Sequence, residues 1–491
     1  MHTKSHALRV FFLFGLHFAS VTSASIIPYV NAIIIEVKKI LFVAHSPTLE
    51  GGGERSLLDM ILHTFHSGAH KVSVALPAEG ELSQELAKHG IPFHVGFSRF
   101  GMYTPHSKGT PEEKWLTIGF ADSLIDAYTI LLKAQPDLVI VNTVVIPWFV
   151  RAAQLFNVPS IVCVRELFDE RNGLDLAPSS SEYLSLMARQ VDHVFFNSQF
   201  TQKSYNDFFQ TVSQSIIYPA VDIPTALIKK SEQTTLLDGN NIRILIVGNV
   251  APHKGQLDVV RAFKSLLSKE HAIQASLTIV GSQNNPGYLE EINDEVQSMS
   301  DAQVVMKPYT PDPYSEMLAH DVVIMASPNE AFGRVTVEGM LLGRLVIGAK
   351  AGGTVDIIDD KKTGFLYRPN DPESLADTLL RVVKHKDEAR KVALAGQRHA
   401  RDTYAKNKIY KEFDTTITNP SLYSKKPNYE TARLFGTDTY SLIERNLYVT
   451  QKIAEYGAEL EASRYARAFS RSIRNPLAGV KMVVKRVKRR I

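Results

Sequence analysis

The sequence predicts an α/β protein with two doubly wound, Rossmann-like domains that face each other across a cleft. Short apolar runs rich in β-branched residues recur along the chain, with helical segments between them. Such continuous runs are typical of parallel sheets that helices cover on both faces. The runs fall into two sets, and a chain of 491 residues exceeds one ordinary core, so two domains are expected. Because ligands of these sheets bind beyond the carboxyl ends of the strands, we expect the site between the domains.

Seven strands are predicted for the first domain and six for the second. The first set covers residues 40–44, 72–76, 93–96, 138–141, 160–164, 194–197 and 216–218. The second set covers residues 242–247, 277–280, 304–307, 322–326, 345–348 and 364–367. Residues 218–224, which contain two prolines, form the expected joint. The predicted domains therefore span residues 37–220 and 221–403.

The alternation of apolar runs with helical segments ends near residue 403. Residues 404–418 are predicted to form a helix, and residues 419–491 a linker followed by a helical, basic extension. Between residues 464 and 491 there are ten Lys or Arg and no Asp or Glu, whereas the rest of the chain has 45 basic and 51 acidic residues. This asymmetry argues against a body that binds nucleic acid and favours a tail that meets an anionic membrane surface. A solvated tail is the alternative.

The first 36 residues precede the expected start of the first domain. Between Arg9 and Glu36 there are 26 residues without Asp, Glu, Lys or Arg, but Pro28, Asn31 and several hydroxyl residues interrupt the apolar character. A dispensable extension is the favoured interpretation, while a membrane anchor and a cleaved signal remain open. The overall composition, 44% hydrophobic and 22% charged with one cysteine, is ordinary for a globular enzyme without disulfides.

Two glutamates eight positions apart mark the strongest candidate site. Glu330 follows the apolar run 322–326, and Gly333 opens a helix that carries Glu338. Eight helical residues span about 12 Å, which is similar to the reach from a donor sugar to the ribose of its nucleotide. Carboxylates accept hydrogen bonds from sugar hydroxyls, and free N–H groups at a helix start suit phosphate. Taken alone, the spacing also fits two unrelated surface glutamates.

Two further segments are candidates for phosphate binding. Three consecutive glycines, residues 51–53, follow the first strand and precede the predicted helix 57–65, and glycines let backbone N–H groups approach an anion closely. Lys254 lies in the turn after the strand 242–247 and can meet a diphosphate as a point charge. A flexible turn and a solvated lysine are the alternatives. A dinucleotide fingerprint and a Walker loop are both disfavoured, because Ser56 replaces the third fingerprint glycine and no Gly-Lys-Ser/Thr occurs.

The order of these motifs resembles one family over roughly residues 37–418. The series Gly-Gly-x-Glu, Gly-x-x-x-x-x-Lys-Gly, Glu-x-Phe-Gly-x-x-x-x-Glu and Gly-Gly is similar to that of retaining glycosyltransferases of the GT-B fold, family 4. The resemblance implies that residues 37–220 form the acceptor-side domain and residues 221–403 the nucleotide-sugar domain. It also implies that the helix 404–418 crosses back to the first domain.

The resemblance further implies roles for individual residues. Glu330 would meet the donor sugar near its reacting carbon, Lys254 would neutralise the diphosphate, and Glu338 would bind the ribose. Glu330 and Lys254 are thus the expected catalytic residues, with no bound metal and no cofactor. The other implied donor-side positions are Gly52, Asn249, Phe332, Gly333, Arg334 and Val335, and the implied acceptor-side positions are Gly51, Gly52, Arg165 and Glu166.

Two positions depart from the family pattern. Asn249 stands where members usually carry an arginine, so diphosphate binding would depend more strongly on Lys254. Arg165 and Glu166 stand where many members carry a histidine near the acceptor. Arg165 could hold an anionic acceptor or a phosphate, with a structural ion pair as the alternative.

The expected function is transfer of a sugar from a nucleotide-sugar to a hydroxyl of a glycan or lipid-linked saccharide, with the anomeric configuration retained. The expected setting is cell-surface polysaccharide or glycolipid synthesis by a cytoplasmic enzyme at the membrane periphery. Two other interpretations stay open. One is a nucleotide-sugar epimerase or a phosphorylase on a similar scaffold, and the other is a catalytically silent nucleotide-sugar-binding subunit.

Overall fold

The structure, a computed structural model, describes residues 37–97, 102–103, 120–167, 175–176, 180–239, 241–299 and 303–429. The predictions for residues 1–36 and for the basic tail lie outside these described residues. In agreement with the predicted fold class, two parallel sheets with helices around them form the framework. Within the described ranges, no helix has the length and apolar character needed to cross a membrane.

The described residues of the first half contain nine strands and six helices. The strands are β1 (Lys39–Val43), β2 (Lys71–Leu76), β3 (Phe93–Val95), β4 (Met102–Tyr103), β5 (Leu138–Val141), β6 (Ser160–Val164), β7 (Asp175–Leu176), β8 (His193–Phe196) and β9 (Ser213–Ile216). The helices are α1 (Gly52–His66), α2 (Glu81–Lys88), α3 (Phe120–Ala134), α4 (Pro147–Leu155), α5 (Ser180–Ala188) and α6 (Gln199–Phe209). Seven strands form a parallel sheet in the order β3-β2-β1-β5-β6-β8-β9, and β4 pairs with β7.

The described residues of the second half contain six strands, nine α-helices and two short 3₁₀ helices, Pro252–Lys254 and Pro420–Tyr423. The strands are β10 (Asn241–Val247), β11 (Gln274–Val280), β12 (Gln303–Lys307), β13 (Val322–Met325), β14 (Leu345–Ala349) and β15 (Phe365–Tyr367). The helices are α7 (Thr225–Glu232), α8 (Gln256–Lys269), α9 (Pro286–Gln297), α10 (Pro313–Ala319), α11 (Arg334–Leu341), α12 (Thr354–Ile357), α13 (Pro372–Lys384), α14 (Lys386–Thr403) and α15 (Lys406–Ile417). All six strands are parallel, in the order β12-β11-β10-β13-β14-β15.

Burial explains why these strands could be predicted from the sequence. The central strands β5, β6, β13 and β14 are buried at every position, and strands covered on both faces require continuous apolar sequences. The exception is the edge strand β9, which was predicted at residues 216–218 but spans Ser213–Ile216. Its polar sequence is partly exposed, so it carries no continuous apolar run.

The chain returns to the first half after α14. The ring of Tyr410 in α15 stacks on His63 of α1 with centroids 3.9 Å apart, and Phe413 lies 5.7 Å from Phe195 of β8. One apolar core therefore combines residues of α1, β13 and α15, including Leu57, Val323 and Phe413.

Residues 419–429 differ from the expected linker, because they pack along the first half. The backbone N–H of Asn428 donates to the carbonyl of Phe156 at 2.9 Å, and the Asn157 side chain donates to the carbonyl of Lys426 at 2.9 Å. The Tyr429 hydroxyl donates to the carbonyl of Pro136 at 2.5 Å. These partners precede β5 and β6, so the segment crosses the amino ends of the first sheet. We call residues 419–429 the strap.

Candidate functional site

The site lies where the two sheets change their winding direction. In the first sheet this point falls between β1 and β5, and in the second between β10 and β13, which is where ligands of doubly wound sheets bind. The N-terminus of α1 faces the start of α11, since a Cβ added at Gly52 would lie 3.8 Å from Cδ of Arg334. The Arg55 guanidinium, also in α1, donates to the Tyr309 hydroxyl of the second half at 3.1 Å. The first turns of α1 therefore form one wall of the cleft.

The structure brings Lys254 and Glu330 together. Lys254 ends a short 3₁₀ turn after β10, and Glu330 lies in the loop after β13. The Lys254 Nζ is 2.8 Å from Glu330 Oε2, and both side chains remain partly exposed, at 31% and 20%. A cation and a hydrogen-bond acceptor thus sit side by side at the carboxyl ends of two neighbouring strands, within reach of a ligand in the cleft.

A glycine turn holds the Glu330 loop in place. The N–H of Gly353 donates to the carbonyl of Glu330 at 2.6 Å. Gly352 has φ of +58°, and a Cβ there would lie 2.5 Å from the Glu330 carbonyl oxygen, so only glycine fits without displacing the loop. From the first half, the Ser198 hydroxyl donates to the Ala331 carbonyl at 2.6 Å. Elements of both halves therefore fix the position of Glu330.

The start of α11 has the form expected for an anion site. Gly333 caps the helix with φ of +104°, a left-handed conformation that favours glycine. The N–H groups of Arg334 and Val335 fall in the first helical turn, where no carbonyl of the same helix can accept them. The Phe332 side chain, in contrast, is 2% exposed and packs against Tyr218 and Tyr404. The Phe332 side chain anchors the loop, so only the backbone of Phe332 is available to a nucleotide-sugar.

Glu338 is buried and paired rather than open. Its side chain is 4% exposed, and its Oε1 accepts a hydrogen bond from Arg334 Nε at 2.9 Å. Burial raises the pKa of Glu338, and the charge of Arg334 opposes this effect. The guanidinium of Arg334 also lies 3.2 Å from Oδ2 of Asp59 in α1. These side-chain contacts of Arg334 were not predicted, since the family resemblance implies only that Arg334 is a donor-side position.

Asn249 lies exposed in the turn between β10 and Lys254. Its carbonyl accepts a hydrogen bond from the Gln256 side chain at 2.9 Å, which fixes the turn. The structure therefore places Asn249 on the same loop as Lys254, and its side chain adds no charge there.

The acceptor-side residues surround the N-terminus of α1. Gly51 caps α1, and Gly52 begins the helix, which therefore starts five residues before the predicted residue 57. The glycine run is the first helical turn rather than a preceding loop, because α1 continues up to the cap. The Arg165 Nε donates to Asn142 Oδ1 at 2.7 Å, and Glu166 accepts from the Thr143 hydroxyl at 2.5 Å.

In the described part of the chain Arg165 forms no direct ion pair, although its charge acts to lower the pKa values of Glu54 and Glu166. Within that part, no carboxylate oxygen lies within 4.0 Å of its guanidinium nitrogens. Its nearest polar partners are the Asn142 amide and the sulfur of Met60, at 2.7 and 3.2 Å. Glu166 is partly buried, and this burial raises the pKa of its carboxyl group.

A pair of charged residues beside this cluster was not predicted from the sequence. His45 follows β1, and its Nε2 lies 3.0 Å from Oε1 of Glu54 in the first turn of α1. Burial alone would lower the pKa of His45, but the hydrogen bond and charge of Glu54 raise it above its ordinary value. Burial would likewise raise the pKa of Glu54, yet His45 lowers it overall. The available signal was that His45 follows the apolar run 40–44 directly, at the carboxyl edge where such sheets bind ligands.

Comparison with known proteins decides the family. A profile described as Glycosyltransferase Family 4 matches residues 50–224, and one described as Glycosyl transferases group 1 matches residues 228–399. The chain belongs to the GT-B glycosyltransferases of group 1. The two profiles together cover every strand of both sheets except β1, and every motif that carried the predicted resemblance.

Curated relatives match this GT-B chain over part of their length. The D-inositol 3-phosphate glycosyltransferase of Thermobifida fusca is 30% identical over 199 residues, which are 38% of this chain and 45% of the relative. The capsular polysaccharide biosynthesis glycosyltransferase CapM of Staphylococcus aureus is 22% identical over 187 residues, or 38% and 48%. The chain thus spans about half the length of these relatives.

A solved structure supports the fold over a longer stretch. Anabaena Alr3699/HepE, crystallised in complex with UDP-glucose, superimposes with a TM-score of 0.61 at 22% identity. The match covers 78% of this GT-B chain and 99% of that protein. At this level of identity, the likeness establishes the two-domain fold.

Proposed function

We propose that this chain is a retaining glycosyltransferase that moves a sugar from a nucleotide-sugar donor to a hydroxyl of a saccharide acceptor. The observation that carries the proposal is the Lys254–Glu330 pair at the carboxyl ends of β10 and β13, opposite the N-terminus of α1. The names of the curated relatives, both glycosyltransferases, support the reaction class. The UDP-glucose complex of the structural neighbour supports the donor class.

In the proposed donor complex, Lys254 and the first-turn N–H groups of α11 neutralise the diphosphate. This arrangement would replace a metal ion, because fixed dipoles and a lysine stabilise the negative charge that develops on the leaving group. Glu330 accepts hydrogen bonds from the sugar hydroxyls, and Glu338 accepts them from the ribose. Since Asn249 brings no charge, Lys254 carries most of the phosphate binding in this loop.

In the proposed reaction, the bond between the anomeric carbon and the diphosphate oxygen breaks first. The electron pair leaves with the nucleoside diphosphate, and an oxocarbenium-like sugar remains. The acceptor hydroxyl then attacks from the same face and passes its proton to the departing phosphate oxygen. The new bond therefore keeps the anomeric configuration of the donor.

We place the acceptor beside Gly51, Gly52, Arg165 and Glu166. The Arg165 guanidinium, whose hydrogen bonds go to Asn142 and Met60, suits an acceptor that carries a phosphate or carboxylate. The Thermobifida fusca relative, named for a phosphorylated acceptor, is consistent with this choice. A glycan or lipid-linked saccharide used in cell-surface polysaccharide synthesis agrees with the name of the Staphylococcus aureus relative.

The test is a transfer assay with UDP-, GDP- and ADP-sugars against neutral and phosphorylated acceptors. The expected result is an acceptor-dependent product whose anomeric configuration, read by NMR, equals that of the donor. An inverted product would contradict retention, and interconversion of the donor without an acceptor would favour an epimerase. Binding of a nucleotide-sugar without any turnover would favour a silent subunit, which the absence of a charge at Asn249 makes the main competing function. Unchanged turnover in EDTA is expected for a metal-independent enzyme.

We further propose a cytoplasmic enzyme that associates peripherally with the membrane through its basic tail. The test is sedimentation with vesicles of neutral lipid alone or with added anionic lipid. The full chain should bind the anionic vesicles, and a variant that ends at Pro476 should bind them much less, since it loses six Lys or Arg. Equal binding of both proteins would exclude the tail as the anchor.

A further inference from the structure

Arg334 lies at a junction between the two halves. Its Nη1 contacts three oxygen atoms that do not belong to the second sheet or its helices: Ser56 Oγ at 3.4 Å, Asp59 Oδ2 at 3.2 Å and the Ala220 carbonyl at 3.0 Å. Its Nε donates to Glu338 Oε1 at 2.9 Å. One guanidinium thus joins α1, the joint between the halves and the carboxylate of Glu338.

This arrangement is costly unless all of its partners are present. The side chains of Arg334, Asp59 and Glu338 are 12%, 19% and 4% exposed. Arg334 also occupies the first turn of α11, where the helix dipole disfavours a cation. The two carboxylates offset both costs, and burial raises the pKa of each of them. Removal of one partner leaves the others buried and incompletely paired.

A planar guanidinium with several donors can hold two carboxylates in fixed positions at once. Glu338 therefore keeps its orientation only while Arg334 is held, and Arg334 is held partly by Asp59 across the cleft. If the halves separate, the contact to Asp59 is lost and Glu338 loses part of its support. The carboxylate of Glu338 and the closure of the cleft are in this way mechanically linked.

We propose that Arg334 is a positioning residue that couples closure of the two halves to ribose recognition by Glu338. This inference rests on the proposed function, because it assigns Glu338 to the donor ribose. It predicts that a residue of the first half, Asp59, affects donor binding although it belongs to the opposite wall of the cleft. It also predicts that the effect of Asp59 depends on the ribose hydroxyls.

The experiment compares two substitutions that each remove one contact between the halves. Asp59→Asn removes the charge that holds Arg334, whereas Tyr309→Phe removes the hydroxyl that accepts from Arg55 and does not touch Arg334. Dissociation constants of UDP, GDP and ADP are measured by calorimetry for both variants and the wild type. For the nucleotide that binds best, we expect Asp59→Asn to raise the dissociation constant by about tenfold. Tyr309→Phe should raise it by less than about threefold.

Two readouts separate coupling from general loosening of the fold. The tenfold loss should disappear with the 2′,3′-dideoxy form of the same nucleotide, because its ribose offers Glu338 no hydroxyl. Asp59→Asn should also have little further effect in a Glu338→Gln background, as expected for residues that act through one another. If Asp59→Asn does not fold, Arg334→Lys replaces it, since an ammonium group cannot reproduce the planar contacts to both carboxylates.

Equal losses for Asp59→Asn and Tyr309→Phe, or an undiminished loss with the dideoxy nucleotide, would overturn the inference while leaving the proposed function intact. A wild-type chain that binds none of the three nucleotides would instead refute the donor assignment, and the inference with it. The two failures are therefore distinguishable in one set of titrations.

Discussion

At the scale of single residues, Lys254 should dominate phosphate binding. Asn249 adds no charge to the same loop, so Lys254→Met removes the one charged side chain that the loop directs to Glu330. We expect kcat/KM for the donor to fall by about 100- to 1000-fold. The control is Lys362→Met, which removes an exposed lysine of the same half that pairs with Asp359. A loss below tenfold at Lys254 would contradict its role.

The His45–Glu54 pair makes a prediction about pH. The pKa of His45 is raised from 6.5 and that of Glu54 is lowered from 4.5. A raised imidazole pKa stabilises the fold below pH 6.5 and loses this effect as the pH rises through the folded-state value. A lowered carboxyl pKa stabilises the fold above pH 4.5 and loses this effect as the pH falls through the folded-state value. The pair is therefore most stabilising between about pH 4.5 and 6.5.

The measurement is the difference in Tm between wild type and His45→Gln from pH 4 to 9. This difference should be largest inside that window and should shrink as the pH rises above it. Substitution of the exposed His271 by Gln serves as the control, and its Tm difference should stay flat. A difference for His45→Gln that grows toward pH 9 would show that the pair does not stabilise the fold as a charged pair.

At the scale of elements, the turn at Gly352 can be tested apart from the strain of its backbone. Ala at this position combines a strained positive φ of +58° with a Cβ 2.5 Å from the Glu330 carbonyl. Gly68→Ala has a similar φ of +66° but meets nothing within 4 Å, so it reports the strain alone, about 1 kcal/mol of unfolding free energy. Gly352→Ala should lower kcat by about tenfold or more by shifting Glu330. Equal kcat in both variants would mean that the loop tolerates the shift.

The same elements show how far the sequence predicts the site. Lys254 and Glu330 were each predicted as site residues. They lie together because each follows a buried strand, and parallel strands bring their carboxyl ends to one edge. The start of α1 was placed five residues late, because glycines are poor helix formers and only tertiary contacts keep them in a first turn. The pairing of His45 with Glu54 has no signal in the spacing, since it depends on how the loop after β1 folds back.

At the scale of the whole molecule, both sheets were predicted because their central strands are buried on both faces and therefore have continuous apolar sequences. The approach of the two halves could not be predicted in the same way. Arg334 is an ordinary surface-type residue in the sequence, yet it is 12% exposed in the structure because α1 closes over it. Contacts between halves depend on rigid-body placement, which local periodicity does not encode. The packing of the strap was not predicted for a related reason, since its backbone is hydrogen-bonded to the Phe156 carbonyl and the Asn157 side chain, which are distant in the sequence.

The strap yields a prediction about the stability of the first half. A variant that ends at Thr418 should melt at a lower temperature than one that ends at Tyr429, because it loses the ring packed 5.2 Å from Phe156 and the hydrogen bond to the Pro136 carbonyl. Tyr429→Ala in the full chain should reproduce a cost of about 1–2 kcal/mol. Leu394→Ala, at a side chain that is 53% exposed, controls for the loss of surface apolar area. Equal Tm values for the two truncated variants would show that the strap does not stabilise the first half. The hydrogen bonds at Asn428 and Tyr429 would then contribute no more than hydrogen bonds to water.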